Sequence, residues 1–184
     1  MNFVKHSDLV GKHAFLSPSG YHWIRYSDEK VAESYLNYLA IENGTKMHEF
    51  AAKCIEYRER LEDAPKTLNM YVNDSIEHKM TPEQPLYFSD NCFGTCDAIS
   101  FRKKQLRIHD LKTGSTKASL DQLRVYAALF CLEYKVKPND ISMLLRIYQN
   151  DEIVEEYADP EVINDIMRVI KNADKIIEML KIKE

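Results

Sequence analysis

Apolar residues recur at helical spacing at both ends of this chain and cluster in short β-rich runs at its centre. Val31, Tyr35, Leu36 and Leu39 share one stripe and predict a helix over residues 28–41. Asn43-Gly44, a strong turn signal, is expected to stop it. A second helix is expected from Thr45 to about Leu61, with Met47, Phe50, Ala51, Cys54 and Leu61 on its apolar side. A third, weaker one covers Leu68 to His78, and Pro82 and Pro85 separate it from a strand region. Nearer the N-terminus, Ser17 or Ser19 is placed to cap a short helix with Pro18 in its first turn.

Residues 98–101 and 105–111 are rich in Ile, Phe and Leu, with Arg102-Lys103-Lys104 between them, which predicts a β-hairpin. After Gly114, Ser119-Leu-Asp-Gln122 matches a capping box and opens a helix to about Tyr134. Ile141 to Tyr148 and Ile153 to Tyr157 predict a second hairpin around Asn150-Asp151. Asp159-Pro160-Glu161 is a helix start, with Asp as cap and Pro in the first position. The helix that follows carries Ile163, Ile166, Met167, Ile170, Ile177 and Leu180 as a stripe expected to lie on the sheet. The expected class is α+β, a small central mixed sheet flanked by helices, in one domain over residues 1–184.

Composition narrows this picture. At 184 residues the chain is long enough for a substantial core. No run of about 18 apolar residues occurs, so no membrane span is expected. The first residues lack the apolar stretch of a secretory signal, so a cytosolic setting and reduced cysteines are expected. A net charge of −4 argues against indiscriminate coating of nucleic acid but leaves room for a local basic stripe.

The hairpin carries the chemistry. In its second strand, Leu106, Ile108, Asp110 and Lys112 share a face. If the turn is centred between Lys103 and Lys104, residue 102 faces 105 and Asp97 faces Asp110. Opposed residues hold their Cβ atoms ~4.5–5.5 Å apart, where like charges repel, so a cationic partner such as a divalent metal is expected. A four-residue loop keeps this pairing. A three-residue loop would set Asp97 against His109 and turn it to the other face. Arg102, Lys103, Lys104 and Arg107, with Lys117 and Arg124 beyond, are read either as a solvated hairpin tip or as DNA contacts.

Gly94-Thr95-Cys96-Asp97, Asp110-Leu111-Lys112-Thr113-Gly114 and Gln122-Leu-Arg-Val-Tyr126, in that order, resemble the PD-(D/E)XK nuclease superfamily. The branch that looks most similar holds the RecB-type nucleases and the phage-type exonucleases related to lambda exonuclease. Gly44-Thr-Lys-Met-His48-Glu49 is similar to that branch's first motif, and His13-Ala-Phe-Leu-Ser-Pro-Ser19 with Trp23 resembles the opening of some phage-encoded members. The likeness spans roughly residues 13–130.

The resemblance implies a restriction-endonuclease-like core and a DNA nuclease dependent on Mg²⁺ or Mn²⁺. Asp97, Asp110, His48 and the Leu111 carbonyl would be metal ligands. Lys112 would orient the attacking water or stabilise charge on the phosphate, while Gln122 and Tyr126 position the phosphate or the water. On residues alone, His48 sits on the shoulder of an apolar stripe, where a histidine is more often structural or exposed than a ligand; the alternatives are that Gln122 only closes a capping box with Ser119 and that Tyr126 is core. Some relatives hold an iron–sulfur cluster on four cysteines, three of them near the C-terminus. Here no cysteine follows Cys131, and Cys92 and Cys96 on an extended strand would stand about 13 Å apart, so no cluster is expected. The resemblance favours a phage-type exonuclease of recombination or end processing in the cytoplasm of a bacterium or phage-infected cell. DNA, a single-strand annealing recombinase and a homo-oligomer are the partners it implies. A RecB-type endonuclease of repair or spacer processing is one alternative, and a catalytically silent nucleic-acid-binding module is another.

Overall fold

Two consecutive lysines, Lys103 and Lys104, take left-handed backbone conformations, with φ of 50° and 61°. They join β2 (Cys92–Arg102) to β3 (Gln105–Leu111). Positive φ at both central residues is the two-residue type I′ turn, whose twist matches that of the strands it joins, and here it forms without Asn or Gly. Arg102 therefore pairs with Gln105 and Ala98 with His109. This is the register that sets Asp97 across from Asp110. The same device, Asn150-Asp151 at φ 53° and 60°, joins β4 (Ser142–Gln149) to β5 (Glu152–Tyr157).

The computed structural model describes residues 4–182. It is an α+β structure with one five-stranded mixed sheet in the order β1-β2-β3-β4-β5, β1 being Thr81–Ser89. Every neighbouring pair is antiparallel except β3–β4. A parallel pair needs a crossover, which α3 (Asp121–Glu133) supplies. On the α3 face, Leu106, Ile108, Leu145 and Ile147 pack with Leu123, Ala127 and Phe130. On the other face, α2 (Thr67–Glu77) and the end of α1 (Asp28–Tyr57) build a smaller core of Ala51, Cys54, Ile55, Tyr71, Ala98, Leu111 and Tyr148. The four cysteines are free thiols divided between these faces, Cys54 on one and Cys92, Cys96 and Cys131 on the other.

By internal contacts the chain falls into two compact units, Met1–Thr45 and Lys46–Glu184. In the first, Phe15 packs edge-on against Tyr35 at 5.2 Å and beside Tyr38 at 5.5 Å, and the Trp23 indole donates to the Ser17 carbonyl. None of its described residues is buried. The second unit holds the whole sheet.

Several local expectations give way to their surroundings. Asn43-Gly44 does not end a helix but lies inside α1. A helical glycine costs only about 1 kcal/mol, and the Asn-Gly turn preference counts only where the chain reverses. The helix stops at Tyr57 rather than near Leu61. Arg58 is left-handed there, and the Arg58 and Glu59 amides donate back to Ile55 and Cys54 in a Schellman pattern. Pro82 and Pro85 do not precede the sheet but sit within β1, tolerable because β1 is an edge strand. Ser17 and Ser19 bond each other at 2.7 Å rather than capping the 3₁₀ segment that begins at Pro18. Ser119 accepts from the Asp121 amide, so Gln122 closes no capping box. The last helix, α4 (Pro160–Lys181), is capped by Asp159 as expected but packs chiefly against α3, which already covers that face of the sheet. Its stripe is accordingly buried at Ile163 and Ile170 and exposed at Ile177 and Leu180.

No helix among the described residues is long and apolar enough to cross a membrane.

Between β3 and α2 lies a fully buried histidine. Tyr148 Oη donates to Asp74 at 2.8 Å, so His109 Nδ1, 3.2 Å from the same oxygen, is assigned the proton. His109 Nε2 is left as a buried bare acceptor without a partner. Burial, reinforced by the Arg146 charge, pushes this imidazole well below its ordinary pKa. A group depressed in this way contributes stability above its unfolded value near 6.5 and loses it as pH falls below that. Thermal melts from pH 7.5 to 5 should therefore show falling Tm, and His109→Leu should flatten that slope whatever its effect on absolute stability. An unchanged slope in the variant would remove His109 as the cause.

Candidate metal centre

Three acids stand in a row across three adjacent strands. Pro82 pairs with Ala98 and Gln84 with Cys96, which places Glu83 across from Asp97. The hairpin register then places Asp97 across from Asp110. Side-chain alternation slips at this point. Cys96 and Ile99 both reach the α3-side core, whereas Ala98 reaches the opposite one. Glu83 itself has φ 47°, a strained backbone for a non-glycine residue and one that often marks a functional site. Sequence reasoning missed Glu83 because the flanking prolines hid β1. An acid one strand upstream of Asp97 was the available signal.

Asp97 is held from two sides. Its Oδ2 accepts from the Leu111 amide at 2.8 Å and lies 3.4 Å from His48 Nδ1. The bond to Asp97 raises the His48 pKa above its ordinary value. One ligand atom each from His48, Glu83 and Asp97 falls within a mutual 4.8 Å. Burial, and then the Asp97 charge, raises the Glu83 carboxyl.

Asp110 is nearly inaccessible, at 3% exposed. Lys112 Nζ lies 3.1 Å from both its oxygens but has hydrogen-bond geometry to Oδ1 alone, leaving Oδ2 buried without a hydrogen-bond partner. Burial and the neighbouring Asp97 charge push this carboxyl up to about 6. A buried carboxylate beside a second carboxylate, met by one ammonium, fits a hard divalent cation, which prefers oxygen ligands, and an imidazole at the edge suits Mn²⁺.

The lysine is fixed from α3. Gln122 Oε1 accepts from Lys112 Nζ at 3.0 Å. The loop joining β3 to α3 is pinned by Gln149, whose amide donates to the Gly114 and Thr116 carbonyls and accepts from the Ala118 amide. The Tyr126 hydroxyl is engaged with the backbone of β2. It donates to the Thr95 carbonyl at 2.7 Å and so ties α3 to β2. A Cβ at Gly94 would stand 3.1 Å from the Tyr126 ring and would have to displace it.

The basic candidates are not gathered here. Arg102, Lys103 and Lys104 occupy the opposite end of the hairpin, ~20 Å along the strands from Asp110. Arg124 is clamped bidentately by Glu156 at 2.9 and 2.6 Å and also pairs with Asp121, so its charge is already neutralised. Lys117 is exposed on the loop between Lys112 and Gln122.

No protein-family model, curated protein or solved structure matches this chain significantly.

The raised Asp110 pKa has a definite sign. Such a carboxyl contributes stability below its ordinary value of 3.8 and loses it as pH rises through about 6. A shift of this size corresponds to about 2–3 kcal/mol. Asp110→Asn should thus raise the Tm of the metal-free protein by about 5 °C at pH 8 and by little at pH 4.5. Equal shifts at the two pH values would show that Asp110 is not the strained group.

Proposed function

We propose that this protein is a divalent-metal-dependent DNA nuclease of the PD-(D/E)XK type, hydrolysing phosphodiester bonds, with an exonuclease as the favoured mode. The observation that carries the reading is the buried Asp110 carboxylate across from Asp97, its Oδ2 without a hydrogen bond and the Lys112 ammonium 3.1 Å from it. Three motifs separated in sequence supply His48, the acid pair and Gln122 to one end of one sheet, which chance occurrence of Asp-x-Lys would not produce.

Asp97, His48 and Glu83, whose ligand atoms lie within 4.8 Å of one another, would hold the ion together with Asp110 across from Asp97 and the Leu111 carbonyl that the resemblance implies. A bound Mg²⁺ or Mn²⁺ supplies neutralisation of phosphoryl charge and acidification of water. The rest belongs to the chain. Lys112, shared between Asp110 and Gln122, keeps a cation beside the reacting phosphate, where it orients the nucleophilic water and stabilises negative charge as it grows. Gln122 accepts one of the three ammonium protons and so fixes where the other donors point. Tyr126 acts as a positioning residue, locking α3 against β2 so that Gln122 stays in reach of Lys112.

The purified protein with Mg²⁺ or Mn²⁺ should degrade linear duplex DNA, and Lys112→Ala should reduce the rate about a thousandfold while leaving the fold intact. Linear duplex with and without a 5′-phosphate, closed circular duplex and single strands should be compared. Cutting of closed circles would replace the exonuclease by an endonuclease. DNA binding without cleavage of any substrate would leave a silent binding module.

Gly94→Ala pushes on Tyr126 and through it on Gln122. It should lower kcat about tenfold or more with a Tm shift of only a few degrees. A wild-type kcat in that variant would show that Tyr126 does not position the site.

A further inference from the structure

At the far end of the same two strands lies a cleft of about 300 Å³, lined by the end of α2 and the β2–β3 turn. Its walls carry Lys79, Arg102, Lys103 and Arg107 against a single acid, Glu77. None of these four cations takes part in an ion pair among the described residues. The protein has a net charge of −4, and on other elements Arg124 and Arg146 each meet two carboxylates. What sets these four apart is that they line one concavity that offers a single acid.

The arginines are placed for a linear anion. Arg102 stands opposite Gln105 and Arg107 opposite Ser100, so the two are diagonal neighbours on one face with Cβ atoms ~7–8 Å apart. Planar guanidinium forks recognise phosphate oxygens two at a time, and the lysines add point charges at the rim. Burial, and then the Arg107 charge, lowers the pKa of His78 in the same wall, as a positive local potential requires. Without an anion the cations repel one another.

We propose that this cleft is a docking site for the phosphate backbone of duplex DNA. Its distance from the metal centre follows from the strands. Arg107 is three residues from Asp110 and the turn lies at the end of the hairpin, spans of ~10 and ~20 Å, or about three to six base steps along a duplex. The cleft thus grips DNA away from the bond being cut. This spacing rests on the nuclease reading; the docking itself does not.

The test separates the two. DNA affinity is measured in EDTA at several salt concentrations for the full chain, for Arg102→Glu/Arg107→Glu, for the milder Arg102→Gln/Arg107→Gln, and for Lys171→Glu/Lys175→Glu on exposed α4 as a control. Loss of two phosphate contacts should weaken binding about tenfold or more near 0.1 M salt and reduce the log–log salt slope by about 2, the control changing neither. Affinity and slope matching the control overturn the docking site. Micromolar binding of inorganic tripolyphosphate that the substitutions abolish, with DNA affinity unaffected by them, assigns the cleft to a free polyphosphate instead and also overturns it. Cleavage is read in parallel. Duplexes of twenty base pairs should lose kcat/KM in the glutamate variant, whereas a small chromogenic phosphodiester should be turned over as by wild type. Equal losses on both substrates would contradict docking at a distance. Absence of all turnover by wild type would defeat the nuclease reading while the binding comparison still decides the cleft.

Discussion

Repulsion among carboxylates organises this molecule. Glu83, Asp97 and Asp110 are brought into line by backbone pairing across three strands, an arrangement the side chains would not choose for themselves. It persists because the backbone is over-determined. The Lys103-Lys104 turn sets the register from one end, and the apolar pairs above it (Ile99 with Ile108, Phe101 with Leu106) would all change faces if it slipped. The core thus holds the acids together against their charge. The resulting stress is relieved only in part, by Lys112 on one side, His48 on another and the Leu111 amide beneath.

The site draws on three layers. His48 arrives on α1 and belongs to the face with the smaller core; Lys112 continues β3; Gln122 arrives on α3 across the opposite face. A site at the end of a sheet is the place where side chains from both covering layers can meet without crossing the core. The connection from Lys112 to Gln122 has no regular structure, yet Gln149 satisfies three of its backbone groups from a buried position on β4. A buried amide with its hydrogen bonds met in this way makes a loop behave as part of the scaffold.

What could be read from the sequence, and what could not, divides along physical lines. The Asp159 cap is local, and the residues beside it specify it; the hairpin's existence is local too, but its register was open between loop lengths because Lys103-Lys104 carries no Asn-Gly turn signal. Glu83 was hidden because prolines are ambiguous: Pro82 and Pro85 mark a break in a central strand but are compatible with an edge, and edge position is a tertiary property. Asn43-Gly44 misled for the same reason, since a turn signal inside a helix is outvoted by its neighbours. The roles of Gln122 and Arg124 turned on partners far away in sequence. Lys112 draws Gln122 out of its capping box, and Glu156 removes Arg124 from the set of free cations.

Net charge conceals the most consequential asymmetry. The value of −4 is an average over a sheet whose two ends differ in sign, with the carboxylate row at one end of β2 and β3 and Lys79, Arg102, Lys103 and Arg107 at the other. These strands are short, so the separation is comparable with two Debye lengths at physiological salt, and the ends do not neutralise each other. A polyanion approaching such a surface is drawn to one end and repelled from the other until a cation screens the acids. On the nuclease reading, charge alone then orders events: backbone capture at the basic end does not require the metal, whereas entry of a phosphate among Glu83, Asp97 and Asp110 does. On that reading, binding and cutting are separable because the strands that bring the acids together also hold the basic cleft apart from them.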